Sequence, residues 1–377
     1  MVPRDICAET EYYKLAEFSW PGLNRVFIDV GANKGFISSL FMKLWGGNTL
    51  KISPLELYEA SYKRKLLGRS RHPFGLCKSG YNRGLSLNYN QLSLSAPASE
   101  SEVKTKENMR KRIKVYSIDG NKNLVDAMNH LIATDLSIPE SVHWKFYNFA
   151  VSNKVGLTFF DLNGGNATGQ ADIGFEGSKI RKDSRTSLRN GVAVVPVNMT
   201  TVDEFVDRYN IEHVDILKID AEGSDNAVLE GSKRLIRNSV SMFVFEAQSP
   251  SVAMTTAMIE EYDQLGFSCY STTKYGLFKW NGGCMPDGDA AVKNKGNIFC
   301  VSRSRAPLLS LTFDAVSFPA LVDAVRPQQL SNTSTAAFRL PPSSPTTRKG
   351  KHSRGEYSEF KYLRRALVSP WILDLIQ

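Results

Sequence analysis

The sequence predicts an α/β fold: a Rossmann-like, doubly wound and mostly parallel sheet with helices on both faces. Short apolar strands alternate with amphipathic helices along the chain, which is the pattern of βαβ units. The clearest strands, such as VFIDV (residues 26–30), are mostly apolar, as expected of strands that are buried on both faces. Three closing segments, FSCYS, GLFKW and NIFCVS, have no helices between them, which predicts antiparallel strands at one edge.

The first unit is the clearest. VFIDV (residues 26–30) is a short apolar strand, and GANKG (31–35) is a turn rich in glycine. FISSLFMKLW (36–45) then places its large apolar side chains on one helical face, and two glycines end the helix. This unit is predicted to be strand, turn and helix.

The remaining elements follow the same logic. Further strands are predicted at 114–119, 142–151, 155–162, 191–199, 214–220 and 240–247, and helices at 123–132, 202–209, 224–238 and 254–266. Thr201 and Glu204 form a capping box that opens the second of these helices. The polar segment 163–190 is predicted to be a long loop.

The chain of 377 residues divides into three parts. Residues 1–23 are an N-terminal extension, and 24–303 form the main domain. Within it, 47–113 lose periodicity and are predicted to be a basic, flexible insertion. Residues 304–377, rich in Pro, Ser and basic side chains, are predicted to be a disordered tail, so a chain that ends near Ala306 should keep its stability.

Composition excludes several classes of protein. The net charge of +9 is concentrated in the insertion (+10 between residues 62 and 114) and the tail (+6), so it is weak evidence for nucleic-acid binding by the domain. No apolar run approaches the roughly 18–20 residues of a membrane span, and the N-terminus lacks the apolar stretch of a signal peptide. A cytoplasmic location is therefore the default expectation. The five cysteines contain no CxxC and the five histidines no ligand spacing, so neither a disulfide framework nor a metal site is expected.

Acidic residues end four of the predicted strands. They are Asp29, Asp119, Asp220 and Glu246, and Glu222 follows closely in the segment LKIDAEG. Open α/β sheets bind their ligands at the carboxyl ends of the strands. Each acid alone could be a solvated strand end or a helix-terminal charge, but their repetition favours a ligand site.

Five segments, taken together, resemble the FkbM-type methyltransferases. They are FIDVGANKGF (27–36), the strand that ends at Asp119, FYNFAVSNKVGLTFF (146–160), MTTVDEF (199–205) and VDILKIDAEGSDNAVLEGSKRLI (214–236). The last segment is the most specific. Two departures are notable: Asp119-Gly120 stands where the family often has Glu-Pro, and the insertion after the first helix is unusually long.

The resemblance implies a seven-stranded sheet with one antiparallel strand and the cofactor S-adenosylmethionine. Its implied ligands are Asp29, Gly31, Asn33 and Gly35 around the methionine part, Asp119 at the ribose, Asn148 and Ala150 near the adenine, and Asp220 near the amino group and the acceptor. The implied acceptor is a hydroxyl of a small molecule or a glycan, and the candidate general bases are Asp220, Glu222 and Glu246. Lys218 is expected to face away from the site, toward the other strand end or into a helix layer, and is interpreted as structural.

Two alternatives remain open from the residues alone. A dinucleotide-dependent oxidoreductase is disfavoured because GxGxxG is missing. A non-catalytic binding module that keeps the fold is disfavoured by the complete set of acids. The sequence does not indicate the oligomeric state.

Overall fold

The computed structural model describes Tyr13, Ala16 and residues 24–46, 54–64, 112–162, 179–180, 193–246, 252–273, 276–281 and 297–317. Its strands are β1 (Asn24–Val30), β2 (Arg112–Asp119), β3 (Val142–Asn148), β4 (Ala150–Val151), β5 (Gly156–Leu162), β6 (Lys179–Ile180), β7 (Ala193–Thr200), β8 (Val214–Ile219), β9 (Val240–Glu246), β10 (Phe267–Thr273), β11 (Gly276–Lys279) and β12 (Asn297–Ser302). Its helices are α1 (Phe36–Gly46), α2 (Pro54–Lys63), α3 (Lys122–Thr134), α4 (Val202–Arg208), α5 (Asp225–Glu230), α6 (Lys233–Ser239), α7 (Val252–Gln264) and α8 (Pro307–Val316).

The main sheet has the order β11-β10-β12-β9-β8-β1-β2-β3. The five strands from β9 to β3 pair in parallel. β12 runs antiparallel to both of its neighbours, β9 and β10, and β11 runs antiparallel to β10. A large, mostly parallel α/β sheet is therefore confirmed. Within the described residues it has eight strands instead of seven, and antiparallel pairing also occurs inside the edge, because β12 enters between β9 and β10.

Helices cover both faces of this sheet. Successive side chains of a strand point to opposite faces, and both faces of these strands are apolar, so each face packs against its own layer of helices. One face packs against α1, α2, α3 and α8, with Phe27, Phe41 and Phe313 among its buried side chains. The other face packs against α4, α5, α6 and α7, with Ile28 and Phe243 in the core. The sheet thus lies between two apolar layers, and its strand ends are left to form the site.

A second, smaller sheet was not anticipated as a separate unit. It has the order β4-β7-β5-β6 and a small core formed by Ala150, Phe160, Val197 and Met199. The predicted strand 142–151 divides after Asn148, so its first part joins the main sheet and its last two residues join the small one. β6 lies inside the predicted loop 163–190, whose other residues are outside the described part.

Two predicted boundaries are wrong. Residues 54–63 of the predicted flexible insertion form α2, which buries Leu57 in the core, and Arg64 pairs with Asp135 through contacts of 2.6 and 2.7 Å. Residues 307–316 of the predicted tail form α8, which buries Leu309 and Phe313. In both segments a few well-spaced apolar side chains outweigh the polar composition around them. The rest of the insertion (65–111) and of the tail (318–377) lies outside the described residues.

The structure differs from the sequence-based prediction in two smaller features. The predicted helix 224–238 is divided into α5 and α6 at Gly231, where a side chain would approach the carbonyl oxygen of Ser152 to 2.1 Å. Cys269 and Cys300 are register partners on β10 and β12 and form a disulfide, although their spacing in the sequence predicted no pairing. Of the N-terminal extension, Tyr13 and Ala16 are described, and both are buried in the core.

Candidate functional site

The turn after β1 brings three strand ends together. Gly31, Asn33 and Gly35 have positive φ angles of 71°, 47° and 73°. The amides of Gly31 and Ala32 donate to the carbonyl oxygen of Ile118 at the end of β2, at 2.9 and 3.1 Å. A Cβ atom on Gly31 would lie 1.8 Å from the carbonyl oxygen of Asp220, so only glycine allows this approach.

Asp29 is fully buried and ends a chain of hydrogen bonds. Its Oδ2 atom accepts from Ser38 Oγ at 2.7 Å, and Ser38 Oγ lies 2.8 Å from Ser117 Oγ. The indole nitrogen of Trp144 donates to Ser117 Oγ at 3.0 Å. Since Ser38 gives its one proton to Asp29, Ser117 must be the donor to Ser38. The hydrogen bonds of Trp144, Ser117 and Ser38 therefore all run in the direction of Asp29.

Lys218 contacts two of the predicted site residues. It is the register partner of Asp29 on the neighbouring strand, and its ammonium lies 3.3 Å from Asp29 Oδ1 and 3.3 Å from Asp220 Oδ2. Burial acts to lower the pKa of Lys218, but the charges of Asp220 and Asp29 outweigh it and raise the pKa. The interpretation of Lys218 as a residue that faces away from the site is wrong, because the β1–β8 register places it beside Asp29.

Asp119 ends β2 and faces the same turn. Its two carboxylate oxygens accept from the backbone amides of Asn33, at 3.1 Å, and Asn121, at 2.8 Å. Burial raises the pKa of the Asp119 carboxyl to about 6, against the opposing effect of these two hydrogen bonds. Each carboxylate oxygen has a further lone pair, so Asp119 can accept additional hydrogen bonds from a ligand.

Asn148 and Ala150 support the turn that carries Asp119. The side-chain amide of Asn148 donates to the carbonyl oxygens of Asp119 and Gly120, at 3.1 and 3.0 Å. Ala150 is buried in the small sheet beside Phe160. The ring of Phe160 lies so close to Gly120 that a Cβ atom there would come within 2.5 Å of it. The small sheet therefore packs directly against the Asp119 turn.

The turn after β8 is held by Asp225. Its carboxylate accepts from the amides of Ala221 and Gly223, at 3.4 and 3.3 Å. Burial, followed by the negative charge of Asp220, raises the pKa of Asp225 to about 6. Glu222 is exposed and has a positive φ of 48°. Asp225 thus fixes the backbone that presents Asp220 and Glu222.

The predicted acids lie at one edge of the sheet. Asp119, Asp29, Asp220 and Glu246 end or directly follow four neighbouring strands, β2, β1, β8 and β9. Glu246 is half-buried and pairs in register with Asn297 of β12. Asp29 and Asp220 are linked through the ammonium of Lys218, which contacts both carboxylates. No group of three His, Cys, Asp or Glu residues in the described part of the chain is arranged to hold a metal ion.

Several site residues were missed by sequence reasoning. Ser38, Asn121 and Lys218 contact the predicted acids directly, and Ser117 and Trp144 reach Asp29 through Ser38. A signal existed for two of them: Ser38 and Ser117 are polar residues within an apolar helix face and an apolar strand. The other contacts depend on which strands are neighbours, which the local pattern does not specify.

Comparison with known proteins places this site in a family. The family model described as the Methyltransferase FkbM domain matches residues 80–269, about half of the chain. The chain belongs to the FkbM methyltransferase family. The match includes β2 to the first part of β10, with the Asp119 strand and the Asp220 segment, and begins after β1 and its turn. No match was found among curated proteins or among solved structures. In the described residues, no helix of this FkbM protein is long and apolar enough to cross a membrane.

The geometry can be tested for its fit to S-adenosylmethionine, the cofactor that the family generally uses. The Oδ1 atom of Asn33 is buried with no hydrogen-bond partner among the described residues. Near it, Asp119 keeps spare acceptor capacity, and Asp220 is about half exposed, with its Oδ1 atom outside the pair with Lys218. These groups keep acceptor capacity that the described residues do not use, and the cofactor carries an ammonium group and two ribose hydroxyls as donors. The residues present therefore fit it.

Proposed function

We propose that this FkbM protein is an S-adenosylmethionine-dependent methyltransferase that methylates a hydroxyl group of a small molecule or a glycan. The observation that supports the proposal best is the set of hydrogen-bond acceptors around the β1 turn: Asn33 Oδ1, the spare lone pairs of Asp119 and the open side of Asp220. They lie at the strand ends where open α/β sheets bind nucleotide-like ligands.

Each residue has a proposed role toward the cofactor. The turn that surrounds the methionine part is formed by Gly31, Asn33 and Gly35. Asp29, which is buried at the end of β1, stabilises this turn. Asp119 accepts from the ribose hydroxyls. Asn148 and Ala150 act on the adenine side through the position of the Asp119 turn, because the amide of Asn148 is bonded to that turn and Ala150 is buried. Asp220 faces the methionine amino group and the acceptor.

The protein's main contribution to the reaction is positioning. When bound, the cofactor supplies a methyl group that is already electrophilic because it is attached to a sulfonium. The residues of this chain would hold the donor and the acceptor hydroxyl in line, and a carboxylate of the protein would take the hydroxyl proton. Asp220 is the first candidate for this base, since it is half-exposed beside the turn. Glu222 and Glu246 are the others.

Calorimetric titration of the purified chain tests the cofactor. S-adenosylmethionine and S-adenosylhomocysteine should both bind, and NAD should not. Binding of NAD alone would instead indicate an oxidoreductase, and binding of none of the three would indicate a non-catalytic module.

A second experiment tests the chemistry. Candidate acceptors are screened with isotope-labelled methyl donor, and the active acceptor is then used with Asp220→Asn, Glu222→Gln and Glu246→Gln. The variant that removes the base should lower kcat at saturating donor, and Asp220→Asn should in addition weaken donor affinity, because Asp220 also faces the donor's amino group. Glu140→Gln is the control, because Glu140 is exposed and precedes β3 at the opposite edge of the sheet. Equal activity of all four variants would exclude these carboxylates as the base.

A further inference from the structure

Lys218 joins the two turns that form the candidate site. Its side chain is 7% exposed, whereas that of Asp29 is 1% exposed and that of Asp220 is 45% exposed. Asp29 belongs to β1, and Asp220 directly follows β8. One ammonium group therefore bridges a carboxylate that is fixed in the core and a carboxylate that is free to turn toward solvent.

The difference in burial defines what Lys218 does for each partner. Burying a carboxylate without a counter-ion is costly, so the contact with the ammonium of Lys218 offsets the cost of burying Asp29. Asp220 does not need it for solvation, because water reaches its carboxylate. For Asp220 the contact has a different consequence: it holds Oδ2 at the ammonium and leaves Oδ1 outside this pair, on a side chain that is 45% exposed.

The charges around Lys218 leave the site negative. Asp29 and Asp220 contact the ammonium, and Asp119 also acts on it electrostatically from the end of β2. Tyr13, from the segment before β1, faces Lys218 as well. The carboxylates around Lys218 outnumber the one ammonium group, so a negative charge remains, and Asp220 is the more exposed of the two that contact it.

We propose that Lys218 is a positioning residue for the donor: it orients the Asp220 carboxylate so that Oδ1 meets the ammonium group of the donor's methionine part. This role rests on the proposed function. It differs from a purely structural role, in which Lys218 only neutralises Asp29 and any loss of binding follows from a damaged fold.

A double-mutant cycle separates the two roles. Affinity for S-adenosylmethionine is measured by calorimetry for the wild type, Lys218→Met, Asp220→Asn and the combined variant. If Lys218 acts through Asp220, Lys218→Met should weaken binding about tenfold in the wild-type background and less than twofold in the Asp220→Asn background. Lys218→Arg should recover most of the loss, because it restores the cation.

Lys145→Met is the matched control. Lys145 is an exposed lysine of β3, and no carboxylate among the described residues lies within ion-pair distance of it. Its substitution should leave donor affinity unchanged. Circular dichroism of every variant verifies folding. If Lys218→Met does not fold, the same cycle is measured in an Asp29→Asn background, where the loss of the lysine no longer leaves a buried charge unpaired.

The outcomes distinguish the two proposals. Equal losses in both backgrounds, or no loss in either, would overturn the positioning role while the donor assignment stands. A wild-type chain that does not bind S-adenosylmethionine at all would overturn the donor assignment, and the positioning role with it. A loss that depends on Asp220 supports both.

Discussion

Two parts of the main sheet use their polar residues in different ways. In the parallel part (β1, β2 and β8), acids at the strand ends converge on turns with positive φ angles. In the antiparallel part (β10, β11 and β12), polar side chains form hydrogen bonds with the backbone. Asn281 accepts from the amide of Cys269 and donates to the carbonyl oxygen of Phe267. A disulfide and α8 complete this second part.

This difference indicates which part of the sheet has polar groups that could bind a ligand. In the antiparallel part, Asn281 is bonded to the backbone on both sides of its amide, and the buried polar atoms without a partner among the described residues are neutral groups of Ser268, Ser271 and Trp280. The described residues of β10, β11 and β12 include no half-exposed carboxylate comparable to Asp220. In the parallel part, Asn33 Oδ1 has no partner among the described residues and Asp220 remains half exposed. Substitutions in the antiparallel part should therefore affect the free energy of unfolding first, and substitutions in the parallel part should also affect donor binding.

The largest expected effect is in the antiparallel part. Phe313 of α8 is fully buried, and its ring packs 5.4 Å from that of Tyr270 and 6.2 Å from that of Phe299. Phe313→Ala should lower the free energy of unfolding by about 3–5 kcal/mol, because it leaves a cavity. Leu311 lies on the same helix, and its side chain is 64% exposed. Leu311→Ala should therefore lower the free energy of unfolding by less than about 0.5 kcal/mol. Urea denaturation of both variants measures the difference, and similar values would mean that α8 does not pack on the sheet.

Two glycines allow a comparison across the parts. Gly31, in the parallel part, and Gly266, which precedes β10, have positive φ angles of 71° and 85°. A Cβ atom would meet a backbone oxygen at 1.8 Å at Gly31 and nothing within 4 Å at Gly266. Gly266→Ala should cost about 1 kcal/mol of unfolding free energy from backbone strain alone. Gly31→Ala should cost about 3 kcal/mol and also abolish donor binding. Thermal denaturation and calorimetry would show whether the contact at Gly31 matters beyond its φ angle.

Substitution of Asp119 tests whether the parallel part binds the donor. Asp119→Ala should weaken donor binding by about 1.5–3 kcal/mol, because ribose hydroxyls lose a charged acceptor, and should slow methyl transfer less at saturating donor. In the wild type, donor affinity should fall about tenfold from pH 7 to pH 5, since protonation of a carboxyl with a pKa of about 6 removes that acceptor. Asp126→Ala, at an exposed ion pair on α3, is the control. A pH-independent affinity in the wild type would remove Asp119 from the site.

The smallest expected effect concerns the pH dependence of stability. The pKa of Asp225 is raised to about 6 in the folded protein, above its usual value of 3.8. Between these values the folded state binds more protons than the unfolded state, so the free energy of unfolding falls as the pH rises. The contribution of Asp225 should be about 1 kcal/mol between pH 5 and pH 6. Urea denaturation at both values should show this decrease in the wild type and a smaller one in Asp225→Asn. Equal slopes would contradict the assignment.

The fold was predictable wherever the local pattern was complete. VFIDV followed by GANKG and an amphipathic segment predicted β1, its turn and α1, and the capping box at Thr201 predicted the start of α4, where Thr201 Oγ1 accepts from the amide of Glu204 at 3.0 Å. Predictions made from composition were weaker. The polar surroundings of α2 and α8 suggested that these segments are flexible. In the structure, two or three apolar side chains of each helix are buried in the core, and this is enough to hold the helix in place.

The sequence by itself determined the elements, the family resemblance and the acids that end the strands, because helix and strand periodicities and strand ends are local properties of the chain. Only the tertiary structure decided which of these groups meet. Lys218 contacts Asp29 because β1 and β8 are neighbours in a register that makes these two residues partners, and Cys269 faces Cys300 for the same reason. Strand order and register arise from the packing of the whole sheet, so contacts between residues almost two hundred positions apart are not encoded in any local pattern.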